Sequence, residues 1–91
     1  MTHPGARREV LVTGGGRGIG RAIALRFADS GARVFVNFFI AREAAEKTAQ
    51  DVELRGGVAH LVQADLKEPA EITRMAREVA RVAGRLDVLV N

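Results

Sequence analysis

The fold is decided by the stretch Thr13-Gly14-Gly15-Gly16-Arg17-Gly18-Ile19-Gly20, which follows directly on the apolar run Val10-Leu11-Val12. The apolar run is typical of a buried strand, and the residues after Gly18 have the spacing of an amphipathic helix. A strand, a glycine-rich turn and a helix in this order form the phosphate-binding start of a βαβ unit. The sequence therefore predicts an α/β fold with a phosphate-binding turn.

Three glycines in this stretch have separate roles in the predicted turn. Gly14 can adopt the backbone angles of a tight turn, and Gly18 has no Cβ to keep a pyrophosphate from the backbone. Gly20 allows the helix to pack closely on the strand. The free N–H groups and the dipole at the helix start favour an anion. The alternative is a turn that only connects strand to helix, but the order of the signals favours phosphate binding.

The composition indicates one small globular domain. The chain has 91 residues, of which 47% are hydrophobic and 27% are charged, as is typical of folded proteins. It has no cysteine, so disulfides and thiolate metal sites are excluded, and a reducing, cytoplasmic location is expected. His3 and His60 have no partner at ligand spacing, so no metal site is expected.

The net charge of +3 raises the question of a nucleic-acid partner. The basic residues are scattered, many at helical spacing from acids, as Arg74 and Arg81 are from Glu78, and Trp and Tyr are absent. This pattern is typical of solvated helix faces. The apolar runs are too short to cross a membrane, and the N-terminus lacks the apolar segment of a secretory signal. We therefore expect neither a nucleic acid nor a membrane as partner.

Glycine, proline and the apolar periodicity divide the chain into alternating strands and helices. A flexible tail is expected at residues 1–8 and one dinucleotide-binding domain at residues 9–91. Strands are predicted at 9–13, 32–38, 58–64 and 86–90, and helices at 18–30, 41–55 and from 68 or 69 to 83. The predicted apolar faces of the three helices are, in order, Ile19, Ala22, Ile23 and Phe27; Ala44, Ala45, Thr48 and Val52; and Ile72, Met75, Ala76, Val79 and Ala83.

Strands that alternate with helices imply a parallel, doubly wound sheet of the Rossmann type. Right-handed crossovers place the first two helices on one face and the third on the other, and they give the strand order 3-2-1-4. The switch point then lies between strands 1 and 4, where ligands bind in such sheets. The glycine-rich turn is predicted at the same place.

Several segments together resemble the short-chain dehydrogenase/reductase family. The pattern Thr13-Gly14-x-x-x-Gly18-Ile19-Gly20 is similar to the family's cofactor signature, and Asp65-Leu66 is similar to its adenine-site position. The final run, residues 84–91, is similar to the approach to the family's Asn-Asn-Ala-Gly segment. The resemblance covers residues 9–91. Within the family, Asn37-Phe38 and the run 42–45 resemble bacterial reductases of acyl-carrier-protein thioesters more weakly.

The resemblance implies an NAD(P)-dependent oxidoreductase of which this chain is the N-terminal, cofactor-binding portion. It also implies a small-molecule substrate of the ketone or enoyl thioester class and a homo-oligomer when the protein is complete. The family's catalytic Ser and Tyr-x-x-x-Lys lie well downstream of the matching segments, and this sequence has no Tyr. We therefore expect no catalytic residue, and no activity, in the 91-residue chain alone. The alternative is a stand-alone nucleotide-binding module without catalysis.

The end of the second predicted strand favours NADP as the cofactor, with NAD as the alternative. Phe38 occupies the position where an NAD-preferring site has an acid that would repel a 2′-phosphate. Arg17 could pair with that phosphate through its planar guanidinium, although a solvated loop charge is the other interpretation. Many relatives have a further Arg at the position of Ile40, and Arg42 is close enough to substitute for it.

The resemblance assigns roles to other residues near the turn. Asp65 is implied to accept a hydrogen bond from the adenine amino group, with the Leu66 amide beside it; capping of the turn before the third helix is the alternative. Asn37 is expected to shape the turn and the cofactor pocket, or to be a simple strand-end residue. Thr13 is expected to satisfy backbone groups of the turn, and Asn91 to support the sheet and the cofactor site. The residues predicted to bind the cofactor are thus Gly14, Arg17, Gly18, Ile19, Gly20, Asn37, Phe38, Asp65, Leu66 and Asn91.

Overall fold

Four strands and three helices alternate along the chain in a computed structural model that describes residues 7–91. The first six residues of the predicted tail, His3 among them, lie outside the described residues. The elements are β1 (Glu9–Val12), α1 (Gly18–Ala28), β2 (Arg33–Phe38), α2 (Arg42–Leu54), β3 (Val58–Gln63), α3 (Pro69–Ala83) and β4 (Val88–Val90). All seven predicted elements are therefore present, with ends that differ by one or two residues.

The four strands form one parallel sheet in the order β3-β2-β1-β4. In the central register Leu11 pairs with Phe35 of β2 and with Leu89 of β4. This confirms the predicted topology, because two right-handed crossovers lead outward from β1 and the third returns to its other side. The carboxyl ends of β1, β2 and β4 consequently meet at one edge of the sheet.

Alternate residues of the strands pack on opposite faces of the sheet. The covered face carries α1 and α2, which pack on strand residues such as Val10, Val12, Val34 and Val36. The open face carries α3, which packs through Met75 and Val79 on Leu11, Phe35 and Val62. On this face β4 is left with Leu89 58% exposed, because α3 lies nearer to the β2 side of the sheet.

The predicted apolar face of α1 is only partly right, since Phe27 alone of its four residues packs against the core of the covered face. Ile19 is 80% exposed and the buried residues of the helix are Ala24, Leu25 and Ala28. The helix begins at the glycine-rich turn and lies close to the sheet, so small alanine side chains fit where large ones would not. The face predicted for α2 is nearly right, since Ala45, Thr48 and Val52 are buried. In α3 only Met75 and Val79 of the predicted set are buried.

Hydrogen bonds and ion pairs join the amino ends of neighbouring strands, at the edge of the sheet opposite the glycine-rich turn. Arg33 forms two hydrogen bonds with Glu9, at 2.7 and 3.3 Å. The Glu9 amide donates to Asp87 at 2.8 Å, and this bond, with the Arg85 guanidinium, lowers the pKa of Asp87 below its usual range. Arg8 belongs to the predicted tail, and its carbonyl accepts from the Arg33 amide at 2.9 Å.

Within residues 7–91, α3 is the longest helix at 15 residues, and none of the helices is long and apolar enough to span a bilayer. The cytoplasmic location expected from the sequence remains a prediction.

Candidate functional site

The glycine-rich turn lies at the carboxyl edge of the sheet, between the end of β1 and the start of α1. Gly14 and Gly18 have φ angles of 62° and 53°, which are strained for residues with a Cβ. Arg17 is the extended residue that precedes the helix, and its side chain makes no capping bond to the helix start. The helix therefore presents its first amides to the switch point.

The amides of this turn divide into two groups. Those of Gly14 and Gly15 donate to the side-chain and main-chain oxygens of Asn37, at 3.3 and 3.2 Å. Within residues 7–91, the amides of residues 16–20 form no hydrogen bond of normal length and angle. Five consecutive N–H groups at the positive end of a helix are a ready site for an anion such as phosphate.

Asn37 holds the first group of amides in place. Its side chain is 3% exposed, and its amide nitrogen donates to the carbonyls of Val62 and Ala64 at 3.3 and 3.4 Å. These bonds leave the Asn37 oxygen facing Gly14. The structure thus places Asn37 under the turn as a shaping residue, between the turn and the end of β3.

A Cβ would have different consequences at the other glycines of the turn. At Gly20 it would collide with the carbonyl group of Gly14, whose carbon would lie 3.0 Å away. The closest neighbours of Gly20 are thus the turn residues directly after β1, so the missing side chain lets the start of α1 lie close to the end of that strand. At Gly18 a Cβ would meet no protein atom within 4 Å, so the space beside this glycine is open to a ligand.

A groove beside the turn is lined by the residues on which the cofactor preference depends. It has a volume of 350 Å³, and its lining includes Arg17, Asn37, Phe38 and Ile40. The Arg42 guanidinium lies 4.8 Å from the centre of the Phe38 ring, within the range of a cation–π contact. Arg17 and Arg42 also line an adjoining depression together with Glu43. Two guanidinium groups and one carboxylate thus surround the end of β2.

Asp65 and Leu66 follow β3 at the same edge of the sheet. One carboxylate oxygen of Asp65 accepts from the Lys67 amide at 3.0 Å, which is the turn-capping contact that the sequence left as the alternative. The second carboxylate oxygen has no hydrogen-bond partner within residues 7–91. Leu66 is exposed and borders the open face. The geometry is compatible with both roles of Asp65.

Thr13 and Asn91 meet at the switch point between β1 and β4. The Thr13 hydroxyl lies 3.2 Å from the Val90 carbonyl and 3.1 Å from Asn91 Oδ1. The Thr13 amide also donates to the Val90 carbonyl, at 2.9 Å, so Thr13 serves a backbone group beside the turn, as expected. Through these contacts Thr13 joins β1 to the end of β4 and brings Asn91 beside the turn.

The sequence reasoning missed a contact between α2 and the turn. The Thr48 hydroxyl donates to the Gly16 carbonyl at 3.2 Å and accepts from Arg21 at 3.1 Å. Arg21 also pairs with Asp51, and Arg21 and then Lys47 lower the pKa of that carboxyl. A threonine on a predicted apolar helix face was the one available signal, because a buried hydroxyl needs a partner.

A mainly apolar groove lies on the open face, away from the amides of residues 16–20. It has a volume of 610 Å³ and is lined mainly by apolar residues of α3 and β4, among them Ile72, Met75, Leu86 and Leu89. Thr13 and Asn91 lie at its border. Size alone does not make it the candidate site, because the groups that could recognise a charged cofactor converge on the turn.

Comparison with known proteins agrees with this geometry. The family model described as short chain dehydrogenase matches residues 8–91. The chain is 40% identical to a 3-oxoacyl-acyl-carrier-protein reductase of Staphylococcus aureus over 92% of this chain and 34% of that protein. It is 43% identical to versicolorin reductase 1 of Aspergillus parasiticus over 90% of this chain and 31% of that protein. The chain thus spans about a third of the length of these relatives.

A solved structure shows the same arrangement of elements. An NADH-dependent reductase, determined in complex with NAD, superposes with a TM-score of 0.86 and is 28% identical. The match covers 93% of this chain and 35% of that one. The partial Rossmann fold predicted from the sequence is therefore confirmed.

Proposed function

This chain belongs to the short-chain dehydrogenase family, and on that premise we propose that residues 9–91 bind NADP through the glycine-rich turn. The observation that carries the proposal is the run of five amides at residues 16–20, which form no hydrogen bond of normal length and angle within residues 7–91. They lie at the start of a helix, where the partial positive charge favours a pyrophosphate. The open space beside Gly18 allows a phosphate to approach the backbone.

The other residues of the site would hold the two ends of the adenosine. Arg17 and Arg42 line the depression that adjoins the groove at the end of β2, where guanidinium groups could pair with a 2′-phosphate. Phe38 lies where a carboxylate would repel that phosphate, and it instead supports Arg42. Asp65 and Leu66 would contact the adenine, and Asn91, which contacts Thr13, would support the cofactor site at the switch point. NAD is the alternative cofactor.

The bound cofactor would supply a hydride to a ketone or enoyl thioester, and the name 3-oxoacyl-acyl-carrier-protein reductase of one relative supports the ketone thioester. The chain's own residues would bind and orient that cofactor. The family's Ser and Tyr-x-x-x-Lys do not align with any residue of this chain, which contains no Tyr. We therefore expect the 91-residue chain to bind the cofactor without oxidising NADPH.

Calorimetric titration of the 91-residue chain with NADP⁺ and NAD⁺ tests the proposed cofactor. We expect NADP⁺ to bind more tightly than NAD⁺. Arg17→Ala should lower the affinity for NADP⁺ about tenfold, which is the effect of losing a charged hydrogen bond. NAD⁺ binding should change less than about twofold, because it has no 2′-phosphate. Arg26→Ala, in the last turn of α1, is the matched control.

Two results would contradict the proposal: equal affinity for the two cofactors, or no loss of NADP⁺ affinity in Arg17→Ala. Arg17 is better suited to this test than Phe38, whose side chain is 5% exposed and part of the core. A Phe38→Asp change would bury a carboxylate and so disturb the fold as well as the cofactor preference.

A further inference from the structure

The carbonyl of Gly16, in the middle of the glycine-rich turn, is held from α2. Thr48 is fully buried, and its hydroxyl donates to this carbonyl at 3.2 Å. The backbone of α2 also lies directly against the turn, because a Cβ on Gly16 would lie 3.1 Å from the Ala45 nitrogen. The first turns of α2 thus form a support on which the glycine-rich turn rests.

The hydroxyl of Thr48 is itself oriented by α1. Arg21 donates to Thr48 Oγ1 at 3.1 Å and also pairs with Asp51. A hydroxyl has one proton to donate, and because the guanidinium occupies an acceptor position of this oxygen, the proton is left for Gly16. Lys47 holds Asp51 from the other side at 3.3 Å. The chain of contacts therefore runs from Asp51 through Arg21 and Thr48 to the turn.

The direction of the Gly16 carbonyl decides the direction of the next amide. In a trans peptide unit the C=O and N–H groups point in opposite directions, and no cis peptide occurs in the described part of the chain. With its carbonyl turned toward Thr48, the peptide points the Arg17 N–H away from α2. This amide is the second of the five that form no hydrogen bond of normal length and angle within residues 7–91.

We propose that Thr48 is a positioning residue for the cofactor site, which orients the Arg17 amide toward the pyrophosphate while Arg21 and Asp51 orient Thr48. The proposal rests on the proposed function, because it assumes that a dinucleotide binds at the turn. Thr48 does not touch the cofactor in this account. It acts through one peptide unit, so its removal should weaken the recognition of the pyrophosphate more than that of the adenosine end.

The test compares Thr48→Val, which keeps the shape and removes the hydroxyl, with Thr48→Ser, which keeps the hydroxyl. NADP⁺ serves as the probe with a pyrophosphate and 2′-AMP as the probe without one. We expect Thr48→Val to lower the affinity for NADP⁺ about fivefold, which is the effect of one lost neutral hydrogen bond. The affinity for 2′-AMP should fall less than about twofold. Thr48→Ser should restore the affinity for NADP⁺. Thr73→Val is the matched control, because Thr73 makes a similar bond to a carbonyl on α3, at 3.2 Å.

A second measurement follows the turn directly in ¹H–¹⁵N spectra without ligand. The Arg17 amide resonance should move in Thr48→Val and return in Thr48→Ser. Should Thr48→Val fail to fold, the partly exposed Arg21 allows the same test, since Arg21→Met should shift the Arg17 resonance in the same direction by a smaller amount.

The outcomes separate the two proposals. If the unaltered chain binds neither probe, the proposed function fails and the role of Thr48 fails with it. If the unaltered chain binds both probes and Thr48→Val binds NADP⁺ equally well, only the positioning role is overturned. The same conclusion follows if Thr48→Val weakens both probes equally, or if the Arg17 resonance does not move, because a merely structural role would give those results.

Discussion

The two faces of the sheet are built from similar strand residues and are covered to different degrees. On the covered face, two helices bury Val10, Val12, Val34 and Val36 completely. On the open face, one helix buries Leu11 and Phe35 and leaves Leu89 exposed beside a groove of 610 Å³. The glycine-rich turn is supported from the covered face, through α2. Site geometry in this protein therefore depends on the well-packed side, while the other side keeps an open apolar groove.

The difference between the faces should be largest for matched Leu→Ala substitutions. Leu25 is 8% exposed and belongs to the covered face, so Leu25→Ala should lower the free energy of unfolding by about 3 kcal/mol. Leu89→Ala should lower it by about 0.5 kcal/mol, as for an exposed side chain. Urea denaturation followed by circular dichroism measures both values. Equal losses would show that the two faces are equally packed in solution.

Alanine substitutions at two glycines of the turn should have different effects, because Gly20 is packed against the protein and Gly18 borders open space. Gly20→Ala should lower the free energy of unfolding by about 2 kcal/mol, because the new Cβ meets the Gly14 backbone. Gly18→Ala meets no protein atom and should cost about 1 kcal/mol through its positive φ. Both variants should lose NADP⁺ binding. Gly18→Ala with undiminished NADP⁺ affinity would contradict the role of Gly18.

The open face should make the 91-residue chain self-associate. Exposed apolar surface of this kind promotes association, and β4 is an edge strand of the sheet. Sedimentation should show a mass that rises with concentration, and Leu89→Glu should reduce that rise. Ile40→Glu is the control, since Ile40 is an even more exposed apolar residue outside the open face. A monomer at all concentrations would contradict this prediction.

As the pH falls, α3 should lose protection against amide hydrogen exchange before α2 does. Arg81 and His60 lower the pKa of Glu78 on α3 below its ordinary 4.5, so Glu78 stabilises the fold at higher pH. That contribution is lost as the pH falls below the ordinary value and through the folded pKa. Asp51 holds α2 in the same way, but α2 also has three buried residues, against two in α3.

Amide hydrogen exchange as a function of pH checks this order. Protection of α3, relative to α2, should fall with pH below 4.5, and Glu78→Gln should remove most of this dependence. Glu46→Gln is the control, because Glu46 is half exposed and 4.0 Å from its partner Arg42. Equal loss of protection in both helices would contradict the prediction that α3 is the more sensitive to acid.

Most of the fold could be predicted from the sequence, because glycines and the apolar periodicity mark each element and handedness fixes the strand order. The packing of α1 could not be predicted. Hydropathy ranks Ile19 above Ala24, yet the close approach of the helix to the sheet selects alanine. The contact of Thr48 with Gly16 was also missed, since it joins residues that are distant in sequence and depends on three-dimensional packing.

The proposed cofactor site is tested most directly by mapping which residues of this chain a dinucleotide contacts. Titration of NADP⁺ into ¹⁵N-labelled protein should shift the amides of residues 16–20 first, together with those near Arg42 at the end of β2. The amide resonances of residues in the groove on the open face, such as Ile72 and Leu86, should shift little, because few polar groups there could hold a phosphate. Shifts confined to that groove, or no shifts at all, would contradict the assignment of the glycine-rich turn as the cofactor site.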